Sequence, residues 1–220
     1  MKRWETWIYA ACILVANIGL VTGTVATWGY YYPDRVIAGE FYRLLTHPFV
    51  HVSGYHLLLD GSAFLMLYAM LRESSLVRRT IYLLGTHIGC VIGVTLALPL
   101  HESIGYAGLS GVAHGLMAIW ALECLQSEER DTVIVGWITF GVVLGKALYE
   151  ALSSQMLFSF MHNSLIGQPI SVSHLSGILG GVLTFGLLRC RGSWLCVRPM
   201  DGDCRGMGLI PKAQAQQDGT

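Results

Sequence analysis

Charge is what this sequence has least of. Only 13% of its 220 residues are Asp, Glu, Lys or Arg, against 53% hydrophobic. A water-soluble domain carries about a quarter charged residues, so the deficit points to a membrane protein. Net charge is zero and no long basic run occurs, which excludes the electrostatic footprint of a nucleic-acid binder. Cysteine has no pattern either. Cys12, Cys90, Cys124, Cys190, Cys196 and Cys204 match no zinc spacing and suggest no disulfide framework. The first three lie in apolar stretches and read as small hydrophobes. A signal-peptide core is also missing. Lys2 and Arg3 precede an apolar run from Trp7 to Trp28, longer than the about 7–15 residues of such a core and close to the about 20 of a membrane span.

What the sequence does have is a series of such runs. Charged breaks divide it into six expected membrane helices, at about 7–28, 56–71, 80–98, 108–125, 132–152 and 172–189. Basic residues orient them, because cytoplasmic segments are enriched in Lys and Arg. With the N-terminus inside, the inner segments hold Lys2, Arg3, Arg72, Arg78, Arg79, Arg130, Arg189, Arg191, Arg198, Arg205 and Lys212, and the outer loops hold only Arg35 and Arg43. Both termini are therefore expected in the cytoplasm. The connection from about Gly29 to Tyr55 starts with Tyr30, Tyr31 and Tyr32 after Trp28. Such rings favour the headgroup level, so this loop is expected to lie partly in the outer leaflet.

Three polar clusters fall at one membrane level, the outer ends of spans 2, 4 and 6. They are His51 to Asp60 with His56 between, Gly108-Leu109-Ser110-Gly111 with His114 and Gly115, and His174 with Gly177, Gly180 and Gly181. Singly, each has a bland reading: a serine bonded to its own helix, an interfacial histidine, small residues that let helices pack. Together they suit acyl transfer. Ionisable groups inside a membrane are costly and imply function. Packing through Gly111, Gly115, Gly177 and Gly181 would bring Ser110 within reach of His174. Histidine takes the hydroxyl proton and nearby donors hold the oxyanion. No acid is evident beside His174, so a dyad is expected rather than a triad. Lys146 and Glu150, four apart near the outer end of span 5, read as a self-paired couple or as the border of a substrate gate. His47, His87, His101 and His162 read as interfacial or packing residues. A metal site from His51, His56 and Asp60 is an alternative, but it leaves Ser110 and His174 unexplained.

The order His56-(x3)-Asp60, Gly108-x-Ser110-Gly111 and His174-x-x-Gly177 resembles the rhomboid family of intramembrane serine proteases, over about Phe41 to Arg189. The stretch Gly-Leu-Ser-Gly-Val-Ala-His-Gly is most similar to the rhombosortase branch, in which a histidine follows the serine by four. In other rhomboids a tyrosine there stacks on the catalytic histidine, a role the resemblance gives to His114. The resemblance implies Ser110 as nucleophile and His174 as base, with the Ser110 backbone N–H and His56 as oxyanion donors. It implies substrate entry beside span 5, transmembrane protein substrates within the lipid bilayer, no cofactor and no metal. The narrower likeness implies substrates with a Gly-Gly-containing C-terminal sorting tail. One position departs from the pattern. Asp60 stands where rhomboids usually have asparagine, and an ionised carboxylate cannot donate to an oxyanion. Two states of Asp60 are open: burial keeps it protonated and donating as asparagine would, or, the favoured expectation, it stays ionised, pairs with His56 and holds that ring as a charged donor.

The sequence is thus read as all-α: a six-transmembrane-helix rhomboid-like bundle over residues 1–191, then a short cytoplasmic tail over 192–220 expected to be disordered. The expected activity is cleavage of transmembrane segments near the outer face, in a bacterial inner membrane. The rival is a catalytically silent rhomboid-like scaffold that binds transmembrane clients.

Overall fold

The structure is a computed structural model that describes residues 4–97, 105–155, 157 and 170–194, with side chains to residue 190. His101, His162, Lys2, Arg3, Cys196, Cys204 and nearly all of the 192–220 tail lie outside the described residues. Among those described, every regular element is helical.

Helix α1 (Trp4–Ala16) stops well short of the expected 7–28, and Asn17 is the reason. Its Nδ2 donates to Ile13 O at 2.7 Å and to Phe49 O at 2.6 Å, while its Oδ1 accepts the His51 N–H at 2.8 Å. The side chain thus trades helix continuation for a tie to the following loop. A 3₁₀ turn (Ile18–Thr22) completes the apolar stretch, and Gly23 leaves it at φ 77°, a conformation that costs glycine little.

The first connection carries α2 (Pro33–Ile37) and α3 (Arg43–Thr46). Arg43 ties it together although it was counted as an outer-loop charge: its guanidinium donates to Trp28 O at 2.6 Å and Tyr30 O at 2.8 Å, and to Glu40 at 2.6 Å. These satisfy a side chain that is only 2% exposed, as burial of a charge demands. The Arg43 hydrogen bond holds the Glu40 carboxyl below its ordinary range. An antiparallel bridge between Tyr31 and Tyr106 fastens this loop to the segment leading into Ser110.

Five longer helices follow: α4 (Gly54–Met70), α5 (Leu76–Ala97), α6 (Ser110–Cys124), α7 (Arg130–Ser153) and α8 (Val172–Trp194). Ser53 caps α4 by accepting the His56 N–H at 3.1 Å, which satisfies an otherwise orphaned donor. Helix α6 is central, packing against α4, α5, α7 and α8, with Leu116, Ala118, Ile119 and Ala121 fully buried. The outward faces are apolar instead. Trp7, Leu14, Trp137, Ile138, Leu183 and Leu187 are exposed, as lipid contact requires.

Among the described residues, four stretches are long and apolar enough to cross a membrane: Trp4–Thr22, Leu76–Ala97, Arg130–Ser153 and Val172–Cys190. Helices α4 and α6, with 17 and 15 residues, are shorter. At about 1.5 Å per residue α6 reaches about 22 Å, less than the about 30 Å hydrocarbon layer. Its C-terminal end is tied to a charged segment, where Glu123 accepts the N–H groups of Arg72 and Glu73 at 2.6 and 3.0 Å. The sunken end is therefore the one that begins with Ser110.

Backbone approaches backbone where α8 crosses α6 and α5. A Cβ on Gly177 would collide with Gly111 O, and one on Gly115 would lie 2.6 Å from Gly177 O. The four-apart glycines of spans 4 and 6 thus make the expected contact. A second seam joins Gly85 and Gly89 of α5 to Thr184 and Gly180 of α8. Small residues at four-residue spacing allow this closeness.

Candidate active site

Six polar side chains from four helices meet at the sunken end of α6, in two groups. The first surrounds one oxygen. Gly108, at φ 105°, turns the chain so that the N–H groups of Leu109 and Ser110 both point at Asp60 Oδ2, at 3.1 and 3.0 Å. His56 Nε2 lies 3.0 Å from the same oxygen. A Cβ at Gly108 would stand 2.7 Å from Asp60 Oδ2 and 2.9 Å from the His56 ring, so both conformation and space require glycine. Asp60 and His56 are both nearly buried. The expected His56–Asp60 pair is present, and the donors expected to face an oxyanion converge on the Asp60 carboxylate.

The second group is a closed chain of contacts. His174, in the first turn of α8, places its Nδ1 2.8 Å from Glu150 Oε2. The ammonium of Lys146 donates to that oxygen at 2.8 Å and contacts His114 Nε2 at 3.1 Å. His114 Nδ1 lies 2.7 Å from Ser110 O, and its ring stacks on His174 with centroids 4.0 Å apart and planes 12° from parallel. The hydrogen bonds assign the tautomers. A carbonyl oxygen only accepts, so His114 carries its proton on Nδ1 and offers Nε2 to Lys146. A carboxylate only accepts, so His174 carries a proton on Nδ1, and its neutral ring then has Nε2 free to accept. Ser110 is bonded through its backbone on both sides, to Asp60 and to His114, and its Oγ makes no hydrogen bond among the described residues. Catalytic contacts of this type commonly tighten only when substrate binds.

One sequence expectation changes here. No acid was expected beside His174, yet Glu150 contacts it directly. Lys146 and Glu150 were read as a self-paired couple or as the border of a substrate gate; they do pair, at 2.8 Å, and Glu150 is fully buried and faces α8, with its second oxygen accepting the Leu157 N–H at 3.1 Å. An ionisable pair four apart inside a span, at the level of His174, was the available signal.

The remaining expected residues fall near the site. His51 meets the His56 ring edge-on at 5.1 Å, and burial pushes it down to about 4. His47 stacks on His87 at 4.9 Å, consistent with packing. The set His51, His56 and Asp60 does not come together as a metal site. Among the described residues, the three-ligand group within reach of one ion is His114, Glu150 and His174, with ligand atoms within 4.8 Å of one another. Lys146 already contacts two of those three, so a second cation would sit against its ammonium.

No curated protein matches the chain. The family model described as the rhomboid domain matches residues 38–191, a stretch that contains both groups of the site and all of α4 to α7. The chain belongs to the rhomboid family, a family of helical, polytopic membrane proteins.

Proposed function

We propose that this protein is an intramembrane serine endopeptidase that cuts transmembrane segments of membrane-anchored proteins near their outer face. The observation that carries the reading is the contact of His174 Nδ1 with the buried Glu150 carboxylate. With Nδ1–H given to Glu150, the ring is set to receive a proton at Nε2, in a polar cluster enclosed by helices whose outer faces are apolar. Ser110 Oγ attacks the scissile carbonyl carbon and its proton passes to Nε2. Collapse of the tetrahedral adduct breaks the C–N bond, the leaving amine takes that proton, and an ester to Ser110 remains. Water, deprotonated by the same nitrogen, then releases the acid and restores Ser110. The oxyanion belongs near the N–H of Ser110 and the His56 side chain, a place that requires Asp60 Oδ2 to withdraw.

His114 supports the narrower likeness to rhombosortases, since it takes the stacking place on His174. On that reading the substrates end in a Gly-Gly-containing tail, one membrane helix and basic residues. The protein would sit in a bacterial inner membrane with both termini in the cytoplasm.

One observation favours a second reading, a silent scaffold that binds transmembrane clients. Asp60 already holds the donors an oxyanion would need. A fluorophosphonate probe separates the two readings. Wild-type protein in detergent should be labelled, Ser110→Ala should not, and chelators should change nothing. Wild type left unlabelled would support the scaffold.

A further inference from the structure

We infer that Glu150 is a positioning residue for His174 and that Lys146 is its fixed counter-ion, so that the site works as a serine–histidine–glutamate triad. The inference rests on the serine-protease reading above and names the group that sets its base.

The geometry is that of a built site. Glu150 is 0% exposed and both of its oxygens are engaged: Oε2 accepts from His174 Nδ1 and Lys146 Nζ, both at 2.8 Å, and Oε1 accepts from Leu157 N. A buried carboxylate is tolerated only when paired and hydrogen-bonded, and both conditions are met. Lys146 donates to His114 as well, so one cation locks the acid on one side and the stacked ring on the other. His114 returns to the backbone carbonyl of Ser110 and stacks on His174, so the contacts run from base to acid to cation to the stacked ring and on to the backbone of the nucleophile.

The consequence for the reaction is specific. His174 can exist with its proton on either nitrogen, and only the Nδ1–H form presents a lone pair to Ser110. Glu150 selects that form. When Nε2 accepts the serine proton, the ring becomes an imidazolium facing a carboxylate, and its orientation is already fixed. Lys146 keeps the carboxylate from being an uncompensated charge before the proton moves. Glu150 touches neither nucleophile nor substrate, so its removal should slow the acylation step and leave probe binding alone.

Labelling of Ser110 by a fluorophosphonate, in detergent-solubilised full-length protein, reads this without a known substrate. In Glu150→Gln, the maximal labelling rate should fall at least tenfold, toward the on the order of 100-fold typical of general acid–base assistance, with the half-saturating probe concentration within about twofold. Glu150→Leu combined with Lys146→Met removes both charges and keeps volume, an exchange that buried ion pairs often tolerate. It should unfold near the wild-type temperature and label as slowly as Glu150→Gln, or more slowly. In wild type, ¹⁵N-histidine NMR should find the His174 proton on Nδ1, and in the double variant that preference should be lost. The idea is overturned if a folded double variant labels at the wild-type rate, if the loss lies in probe binding alone, or if wild-type His174 carries its proton on Nε2. Failure of wild type to label at all would instead remove the protease reading, and this inference with it.

Discussion

Asp60 is the residue on which the resting site turns. Three donors, His56 Nε2 and the N–H groups of Leu109 and Ser110, converge on one carboxylate oxygen within 3.0–3.1 Å. An acyl-transfer oxyanion would need the last of these, and two anionic oxygens cannot share it. The resting arrangement therefore resembles a filled oxyanion hole. The other ring nitrogen of His56, Nδ1, is buried without a hydrogen-bond partner. Asn at position 60 keeps the shape, holds the donors less tightly and can itself donate. Asp60→Asn is therefore expected to raise the fluorophosphonate labelling rate severalfold. Asp60→Ala should instead lower the unfolding temperature, since it strands three donors at about 1–3 kcal/mol each. A severalfold loss of rate in a folded Asp60→Asn variant would restore the charged-donor role expected from the sequence. The sequence made the departure at Asp60 visible by type and spacing. It could not show that Gly108 would turn two backbone N–H groups onto the same atom, because that depends on a left-handed residue and on loop packing.

At the scale of elements, the bundle closes through glycine seams rather than through large interlocking side chains. Gly177 of α8 is placed so that any Cβ would run into Gly111 O, with Cys90 Sγ 2.9 Å away. Both neighbours belong to helices that frame the site. Gly177→Leu is expected to separate α8 from α6, lower the unfolding temperature by several degrees and reduce probe labelling of Ser110 at least tenfold, since angström-scale misplacement is costly to catalysis. A normally stable, normally reactive Gly177→Leu protein would show that the two helices do not depend on this contact. The seam between spans 4 and 6 was legible because the glycines recur four apart beside the motif residues. The seam on α5 has the same signature in Gly85, Gly89 and Gly93, and only its distance from the motifs kept it unread. Helix ends were less legible. Apolar content continues from α1 into the 3₁₀ turn, so hydropathy runs past Asn17 without registering that its side chain is bonded to Phe49 and His51, residues more than thirty positions away.

The whole molecule has two polar ends with different characters. At one, polar groups lock structure: Arg79 pairs with Glu5 and donates to Glu73 O and Ser74 O at 3.0 and 3.2 Å, while Glu123 caps the segment after α4. At the other, the histidines, Asp60, Lys146 and Glu150 gather around Ser110. Basic residues concentrate at the first end, with Arg72, Arg78, Arg79, Arg130 and Arg189 on segments that meet there. The second end has Arg35 and Arg43 in its first connection, and Arg43 is consumed in internal bonds, so its contribution to orientation is smaller than a count suggests. From the bias of Lys and Arg toward the cytoplasm, the proposed direction of insertion is structural end inside, Ser110 toward the outer face. Reporter fusions after Arg79 and Arg130 should show cytoplasmic activity, and fusions at Gly39 and His101 should show exterior activity. The His101 fusion is decisive, because it precedes α6 and no other span intervenes. A cytoplasmic signal there would put Ser110 at the inner face and turn the proposed substrate specificity from the outer to the inner end of a client helix. The chemistry of Ser110, His174 and Glu150 would be unchanged, since it depends on contacts within the bundle and not on which side of the membrane they face.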